Sequence, residues 1–179
     1  MAPADPQKTG LPNVPPHEEK VFTPEEIQQC AAAFLKKLGY KVKLNQRALF
    51  SELSIQATRD KYTLIGQVKS TLDQAIEGFK DLCTAKCKWG DDVDYVLVLG
   101  PTNEHKEIEF LAEKSTWLID IRSQYFMMWH VNPERETIDN IVGAPRDDLL
   151  NNSFNLNLSS VFSFFLNKKI DDRMRIGDI

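Results

Sequence analysis

Alternation of apolar and polar side chains predicts a β-hairpin between residues 50 and 70. The first strand alternates through Leu53, Ile55 and Ala57, and a polar turn, residues 58–61, separates it from the second strand. A segment of helical periodicity follows directly. The hairpin is therefore the centre of the fold that the sequence predicts.

A helix and a further strand precede the hairpin. Thr23 is the expected N-cap, Pro24 takes the first helical position, and Glu26 completes a capping box. Apolar residues then recur at helical spacing until Gly39, which ends the helix. Residues 40–44 alternate and predict a strand, so three short strands follow one another, as in an antiparallel meander.

Helices and strands alternate after the hairpin. A one-sided apolar stripe predicts a helix that begins at residue 70 or 71 and ends at residues 89–90. The continuous apolar run at residues 95–99 fits a strand buried on both faces, at the centre of the sheet. Further predicted elements are a helix at residues 103–114 and strands at residues 117–121 and 125–131.

The two ends of the chain set the predicted domain limits. Residues 1–20 are rich in proline and poor in large apolar side chains, so we expect a flexible tail. A single α/β core is predicted for residues 21–132. The C-terminal extension, residues 133–179, includes a predicted helix at 159–169, whose three phenylalanines indicate a subunit interface or a contact with another part of a longer polypeptide.

Composition fits one globular domain, because 42% of the 179 residues are hydrophobic and 27% are charged. No apolar run is long enough to span a membrane, and the Pro-rich start does not have the pattern of a signal peptide. We therefore expect a cytoplasmic protein with no membrane partner. The formal net charge of −4 differs from that of a basic nucleic-acid-binding domain, so binding to a polyanion requires a local basic patch.

Cysteine and histidine spacing predicts neither a metal site nor a histidine-based mechanism. The odd number of cysteines, all in helical segments, argues against a disulfide framework and a zinc site. We expect buried thiols, with Cys83 in the core and Cys87 nearer the surface. The three histidines lie far apart in sequence, and the isolated glycines form no phosphate-binding loop, which disfavours an NTPase or a dehydrogenase.

Three polar side chains gather at one end of the predicted hairpin. Glu52 lies in the first strand, while Gln67 and Lys69 end the second, with fourteen residues between Glu52 and Gln67. Packing does not require this set, which offers a carboxylate, an amide and an ammonium group. One interpretation is a catalytic site, and another is a solvated lysine at the end of a strand.

This arrangement resembles the restriction-endonuclease-like, or PD-(D/E)xK, superfamily. The resemblance covers residues 23–121 and rests on the order of the elements and on the positions of Glu52, Gln67 and Lys69. Most members have an acid where Gln67 stands, and a Gln-x-Lys variant is typical of the Mrr-like branch, which this stretch resembles most. The resemblance implies an α/β fold of the order αβββαβαβ, in which helices flank a mixed central sheet.

The resemblance also implies metal-dependent hydrolysis of nucleic acid. Mg²⁺ or Mn²⁺ would bind the Glu52 carboxylate, the Gln67 amide oxygen and the main-chain carbonyl of Val68. Lys69 would assist the attacking water and offset charge on the phosphate. Family members often carry another acid on the first helix, where Glu26 stands, although the capping box explains Glu26 without a metal.

Basic residues near the hairpin and on the following helix are candidates for contacts with phosphates at the rim of the site. They are Arg59, Lys61, Lys80, Lys86 and Lys88. A solvated basic face accounts for the same residues. The sequence leaves both interpretations open.

Three functional hypotheses follow. The first is a metal-dependent endonuclease that cuts DNA, with a homodimer or larger assembly formed through the helix at residues 159–169. The second is a catalytically inactive domain of the same fold that serves as an interaction or assembly module, as the net acidity and Gln67 favour. The third is an α/β domain of another kind, in which Glu52 and Lys69 form a cross-strand ion pair.

Overall fold

A computed structural model of the chain describes residues 20–48, 51–102 and 126–154, together with Lys106, Phe110, Glu113 and Lys114. Within these ranges, six strands form one mixed sheet, and helices flank it. The α/β class with a mixed, helix-flanked sheet, as predicted from the sequence, is confirmed. No helix in the described ranges is both long and apolar enough to cross a membrane.

Secondary structure follows the predicted order as far as the strand at residues 95–99, and the strand predicted at residues 125–131 is also present. The elements are α1 (Pro24–Lys37), β1 (Lys41–Ala48), β2 (Ser51–Arg59), β3 (Tyr62–Lys69), a 3₁₀ turn (Leu72–Gln74), α2 (Ala75–Trp89), β4 (Asp94–Leu99), β5 (Phe126–Asn132), β6 (Thr137–Val142) and α3 (Asp148–Ser153). Lys106, Phe110, Glu113 and Lys114 are helical, in agreement with the helix predicted at residues 103–114. The predicted strand at 117–121, the predicted helix at 159–169 and the N-terminal tail up to residue 19 lie outside the described residues.

The strands are arranged in sequence order, β1 to β6, across the sheet. Strands β1, β2 and β3 form the predicted antiparallel meander, with Ile55 opposite Gly66. Strand β4 is parallel to both β3 and β5, and β6 returns antiparallel to β5. Every residue of β4 is buried, as expected for the centre of the sheet.

Local signals in the sequence explain where α1 begins. The Thr23 amide donates a hydrogen bond to the Glu26 carboxylate (2.8 Å), and the Glu26 amide donates to Thr23 Oγ1 (3.2 Å). This reciprocal capping box satisfies two backbone donors that a helix start leaves open. The chain leaves the helix at Gly39, whose φ of 86° is one that glycine adopts without strain.

Side chains on the two faces of the sheet form two separate cores. The α1-side core includes Ile27, Leu35, Ile55, Ala57, Leu64, Val68, Val96, Val98, Met127, Trp129 and Val131. The α2-side core includes Leu53, Ile65, Ala75, Phe79, Leu82, Tyr95, Leu97, Leu99, Phe126 and Met128. Alternate residues of β3, β4 and β5 therefore point to opposite helices, as strand geometry requires.

The sheet extends past residue 132, where the sequence pattern weakens and predicts no strand. Strand β6 pairs with β5, and its Val142 is buried in the α2-side core. Leu150 and Phe154, in and after α3, are buried in the α1-side core. Strand β6 is hard to predict because it lies at the edge of the sheet and buries only one of its six residues.

The expectation that Cys83 lies in the core is wrong, whereas Cys87 lies at the surface as expected. Cys83 and Cys87 are exposed, Cys30 is half-buried, and all three are free. Helix α2 turns Phe79 and Leu82 toward the sheet. Because the buried stripe passes through these positions, it leaves Cys83 on the outer side of the helix.

One buried carboxylate joins the β2–β3 turn to the C-terminal part of the described chain. Asp147 caps α3 by accepting from the Leu149 amide (3.0 Å), and it accepts from Arg59 Nε (2.9 Å). Arg59 Nη2 and the Tyr40 hydroxyl also donate to it. Burial raises the pKa of Asp147, but the bonds from Arg59 and Tyr40 outweigh burial and hold that pKa below its usual value.

We predict that Asp147→Asn destabilises the fold by about 2 kcal/mol, because it removes the charge that satisfies Arg59 and Tyr40. The neighbouring exposed Asp148→Asn is the matched control and should change stability by less than about 0.5 kcal/mol. Urea unfolding at neutral pH measures both. Since the folded-state pKa of Asp147 is lowered, its stabilising effect is present at neutral pH and is lost as the pH falls through the folded value. Equal effects of the two substitutions would contradict this account.

His130 introduces a second pH dependence. It is buried in β5, and burial lowers its pKa from 6.5 to about 4. The unfolded chain therefore binds this proton more readily, and stability present above pH 6.5 declines as the pH falls toward 4. We predict a loss of about 3 kcal/mol over this range, and His130→Gln should flatten the decline in urea unfolding measured across pH. An unchanged slope in the variant would assign the decline to other groups.

Candidate active site

The hairpin places its polar residues at two opposite ends. Because β2 and β3 are antiparallel, with Arg59 opposite Tyr62, the start of β2 and the end of β3 lie at the same end. Glu52 and Lys69 therefore share one end of the hairpin. The turn with Arg59 and Lys61 lies about 23 Å away, seven residues back along β3.

Gln67 and Lys69 lie on the face of the sheet that α2 covers. In the β3–β4 ladder they stand beside Leu97 and Leu99, which belong to the α2-side core. The Lys69 side chain is only 17% exposed. Its ammonium group is thus brought to the boundary between the sheet and α2.

Two acids of α2 that are not among the residues predicted from the sequence lie at this boundary. Lys69 Nζ is 3.1 Å from Asp81 Oδ2 and 3.5 Å from Glu77 Oε1. Glu77 and Asp81 are four residues apart, so they project from the same side of the helix. That spacing, directly after the Gln-x-Lys strand, is the signal in the sequence that could have identified them.

The Gln67 amide is held on both sides. Its Oε1 accepts from the Ser54 backbone amide and its Nε2 donates to Asp81 Oδ2, each at 3.4 Å. Ser54 Oγ in turn accepts from the Val68 amide (3.1 Å), and the Ser54 carbonyl accepts from Gln28 of α1 (2.7 Å). Gln67 thus links β2 to the acid on α2.

Close approach of α2 to the sheet depends on Gly78. A Cβ built at this position would lie 2.4 Å from Leu97 Cδ1 and 3.1 Å from Lys69 Cγ. Only a residue without a side chain fits this contact unless its neighbours move. Gly78 lies between Glu77 and Asp81 on the helix, so it brings both acids within reach of Lys69.

We predict that Gly78→Ala lowers stability by about 1–2 kcal/mol, because overpacking against Leu97 exceeds the gain in helix propensity. Thr84→Ala, on the exposed side of α2, is the control and should leave stability unchanged or slightly raised. Urea unfolding of both variants checks the prediction. A Gly78→Ala protein more stable than the unmodified chain would show that α2 has room to accommodate a methyl group.

Glu52 is at the predicted end of the hairpin but is not joined to the other groups. It is exposed and stands opposite Arg47 in the β1–β2 ladder. Among the described residues, no hydrogen bond or ion pair connects it to Gln67 or Lys69. Its role as a metal ligand stays a prediction.

Strand β2 does not alternate regularly at this point. Leu53 belongs to the α2-side core, whereas Ile55 and Ala57 belong to the α1-side core. Between them lies Ser54, and Asn45 of the neighbouring strand has a left-handed φ of 51°. The alternation of side chains along β2 therefore does not establish which face of the sheet Glu52 occupies.

The predicted phosphate-contacting residues lie at the β2–β3 turn and on α2. Arg59 is bound to Asp147, and Lys86 Nζ lies 3.2 Å from Asp91. Lys61 lies over the Tyr62 ring and Lys88 over the Trp89 ring, while Lys80 is exposed on α2. Glu26 serves the capping box of α1.

The donor set at the end of β3 fits a hard divalent cation by its chemistry. Asp81 and Glu77 supply carboxylates, Gln67 an amide oxygen, and Val68 a main-chain carbonyl. Mg²⁺ keeps several waters and needs only one or two carboxylates from the protein. This is compatible with the finding that the described residues contain no cluster of three or more His, Cys, Asp or Glu side chains able to hold a metal.

Comparisons with known proteins find solved structures of low similarity. No family model and no curated protein matches the chain. An XisH family protein from Nostoc punctiforme PCC 73102 is 17% identical, with a TM-score of 0.46 over 63% of this chain and 95% of its own. An FdxN element excision controlling factor protein from Anabaena variabilis is 20% identical, with a TM-score of 0.45 over 64% of this chain and 95% of its own. Similarity at this level assigns no function, and the Mrr-like branch stays a prediction.

Proposed function

We propose that this chain is a metal-dependent nuclease that hydrolyses phosphodiester bonds of DNA. The observation that carries the proposal is the position of Asp81, 3.1 Å from the Lys69 ammonium and 3.4 Å from the Gln67 amide. Gln67 occupies the strand position where an acid was expected, and Asp81 supplies a carboxylate beside it from α2. The order helix, three-stranded meander, helix, strand supports the same proposal.

Each residue in the proposed site has a distinct task. Asp81, Gln67 and the Val68 carbonyl would hold Mg²⁺ or Mn²⁺, with Glu52 as a further ligand. Such a cation would supply positive charge toward the phosphate and would lower the pKa of the attacking water. Lys69 donates hydrogen bonds to the attacking water and to a phosphate oxygen, which offsets the negative charge that develops as the bond is cut.

The competing function is a catalytically inactive domain that serves as an interaction module. Its specific support is that Gln67 and Lys69 already have partners within the chain. Both amide atoms of Gln67 have partners, and Lys69 has two acids. An active nuclease must open these contacts when metal and DNA bind, whereas an inactive domain retains them.

Plasmid cleavage separates the two functions. We expect the purified chain to nick or linearise supercoiled plasmid in Mg²⁺ or Mn²⁺ and to be inhibited by EDTA. Lys69→Ala and Asp81→Asn should each lower the rate by about 100-fold or more, the usual effect of losing a group that assists proton transfer or metal binding. Glu52→Gln tests the predicted ligand on β2.

Matched controls remove the same charges elsewhere. Lys36→Ala on α1 and Glu134→Gln in the β5–β6 turn are both exposed and should cut as well as the unmodified chain. Full cleavage by Lys69→Ala would overturn the proposed site. Absence of cleavage by the unmodified chain at every metal concentration would instead favour the interaction module.

A further inference from the structure

Two lysines of the edge strand β1 lie on the same face of the sheet as the proposed site. Lys41 stands opposite Thr58 and Lys43 opposite Gln56 in the β1–β2 ladder. Gln56 in turn stands opposite Ile65, which belongs to the α2-side core. Since partners across an antiparallel ladder share a face, both lysines are on the α2 side.

Helix α2 does not extend over this part of the face. It packs mainly on β3 and β4, toward the middle of the sheet. Lys41 and Lys43 are exposed, and Thr58 and Gln56 on β2 are half-buried. In the described part of the chain, a polar strip of sheet therefore lies beside the helix, level with residues 63–65 of β3. We name it the β1–β2 face.

The lysine charges on the β1–β2 face have no acidic partner among the residues that the structure describes. Neither Lys41 nor Lys43 forms an ion pair with any described residue. By contrast, Arg59 and Lys69 are each paired with acids of the chain. Two adjacent exposed lysines without acids are notable in a chain of net charge −4. Such a local patch is what binding to a polyanion requires.

Spacing on the sheet suits a phosphate backbone. Strands are about 4.8 Å apart, so β1 lies about 10 Å from β3, and Lys43, which is level with Ile65, is a further four residues or about 13 Å back from Lys69 along the strands. A nucleic-acid strand that crosses the β1–β2 face can contact Lys41 and Lys43 with successive phosphates while a later phosphate reaches Lys69. Thr58 and Gln56 along the route offer neutral hydrogen bonds to sugar and phosphate oxygens.

We propose that the β1–β2 face binds the phosphodiester backbone of a nucleic-acid duplex through Lys41 and Lys43 and directs it to Lys69. This inference rests on the proposed function, because the site to which the duplex is directed is the proposed nuclease site at Lys69. It replaces the five cations chosen from the sequence with two that the sheet places side by side. The contacts are to the backbone, so they favour no base sequence.

Salt-dependent binding tests the proposal. Fluorescence anisotropy of a labelled DNA duplex in EDTA, at a series of potassium chloride concentrations, gives the slope of log affinity against log salt. Each lost phosphate contact lowers that slope by about 0.9, so Lys41→Gln combined with Lys43→Gln should lower it by about 1.8. The control, Lys36→Gln with Lys37→Gln on α1, removes the same charge from the opposite side of the sheet and should leave the slope unchanged.

Parallel titrations identify the class of partner. An RNA duplex of the same sequence should show the same loss of slope if the backbone is what the lysines contact, while polyglutamate should not bind. Binding of polyglutamate that depends on Lys41 and Lys43 would overturn the proposal in favour of an acidic polypeptide. Acetylation of the unmodified chain provides a second measurement, because the DNA duplex should protect Lys41 and Lys43 but not Lys36.

Failure of this inference can be distinguished from failure of the proposed nuclease. Binding is measured in EDTA, where no cleavage takes place. A chain that binds through Lys41 and Lys43 but never cuts plasmid contradicts only the nuclease. A chain that cuts plasmid, and whose double variant binds with an unchanged salt slope, contradicts only the role of the β1–β2 face.

Discussion

Close packing of α2 on β3 and β4 determines where the polar groups of this protein meet. At Gly78 the helix lies so near the sheet that a methyl group would contact Leu97. This proximity brings Asp81 to Lys69 and Gln67, which are fixed in turn by the ladder that joins β3 to β2 and β4. The position of one helix thus creates the cluster at the end of β3 and, as far as the described residues go, leaves the β1–β2 face uncovered.

Charge is distributed unevenly over the α2 side of the sheet. At the end of β3, two carboxylates of α2 share one ammonium group, so the cluster carries net negative charge. The β1–β2 face, on the same side of the sheet, carries Lys41 and Lys43 and is positive. Opposite potentials on one face of the sheet suit a site that binds a cation at the acidic cluster and a polyanion along the lysines. The bound cation would reduce the repulsion between the acids and the polyanion.

Local sequence patterns predicted the elements but not the contacts between them. The capping box at Thr23 and the apolar run of β4 act within one segment, so their chemistry is readable directly. Asp81 meets Lys69 only through packing of a helix on a sheet, which no local pattern contains. The prediction for Cys83 was wrong because contact with the sheet decides which side of α2 is buried. Strand β6 was not predicted because an edge strand buries few side chains.

The exposed lysines of β1 also bear on how copies of this chain meet. Strand β1 is at the edge of the described sheet, and such an edge presents backbone donors and acceptors to which a strand of another molecule can add. Lys41 and Lys43 would face like charges if two such edges met, and the left-handed backbone at Asn45 interrupts a regular ladder. Within the described residues, these features disfavour extension of the sheet by another copy at the β1 edge.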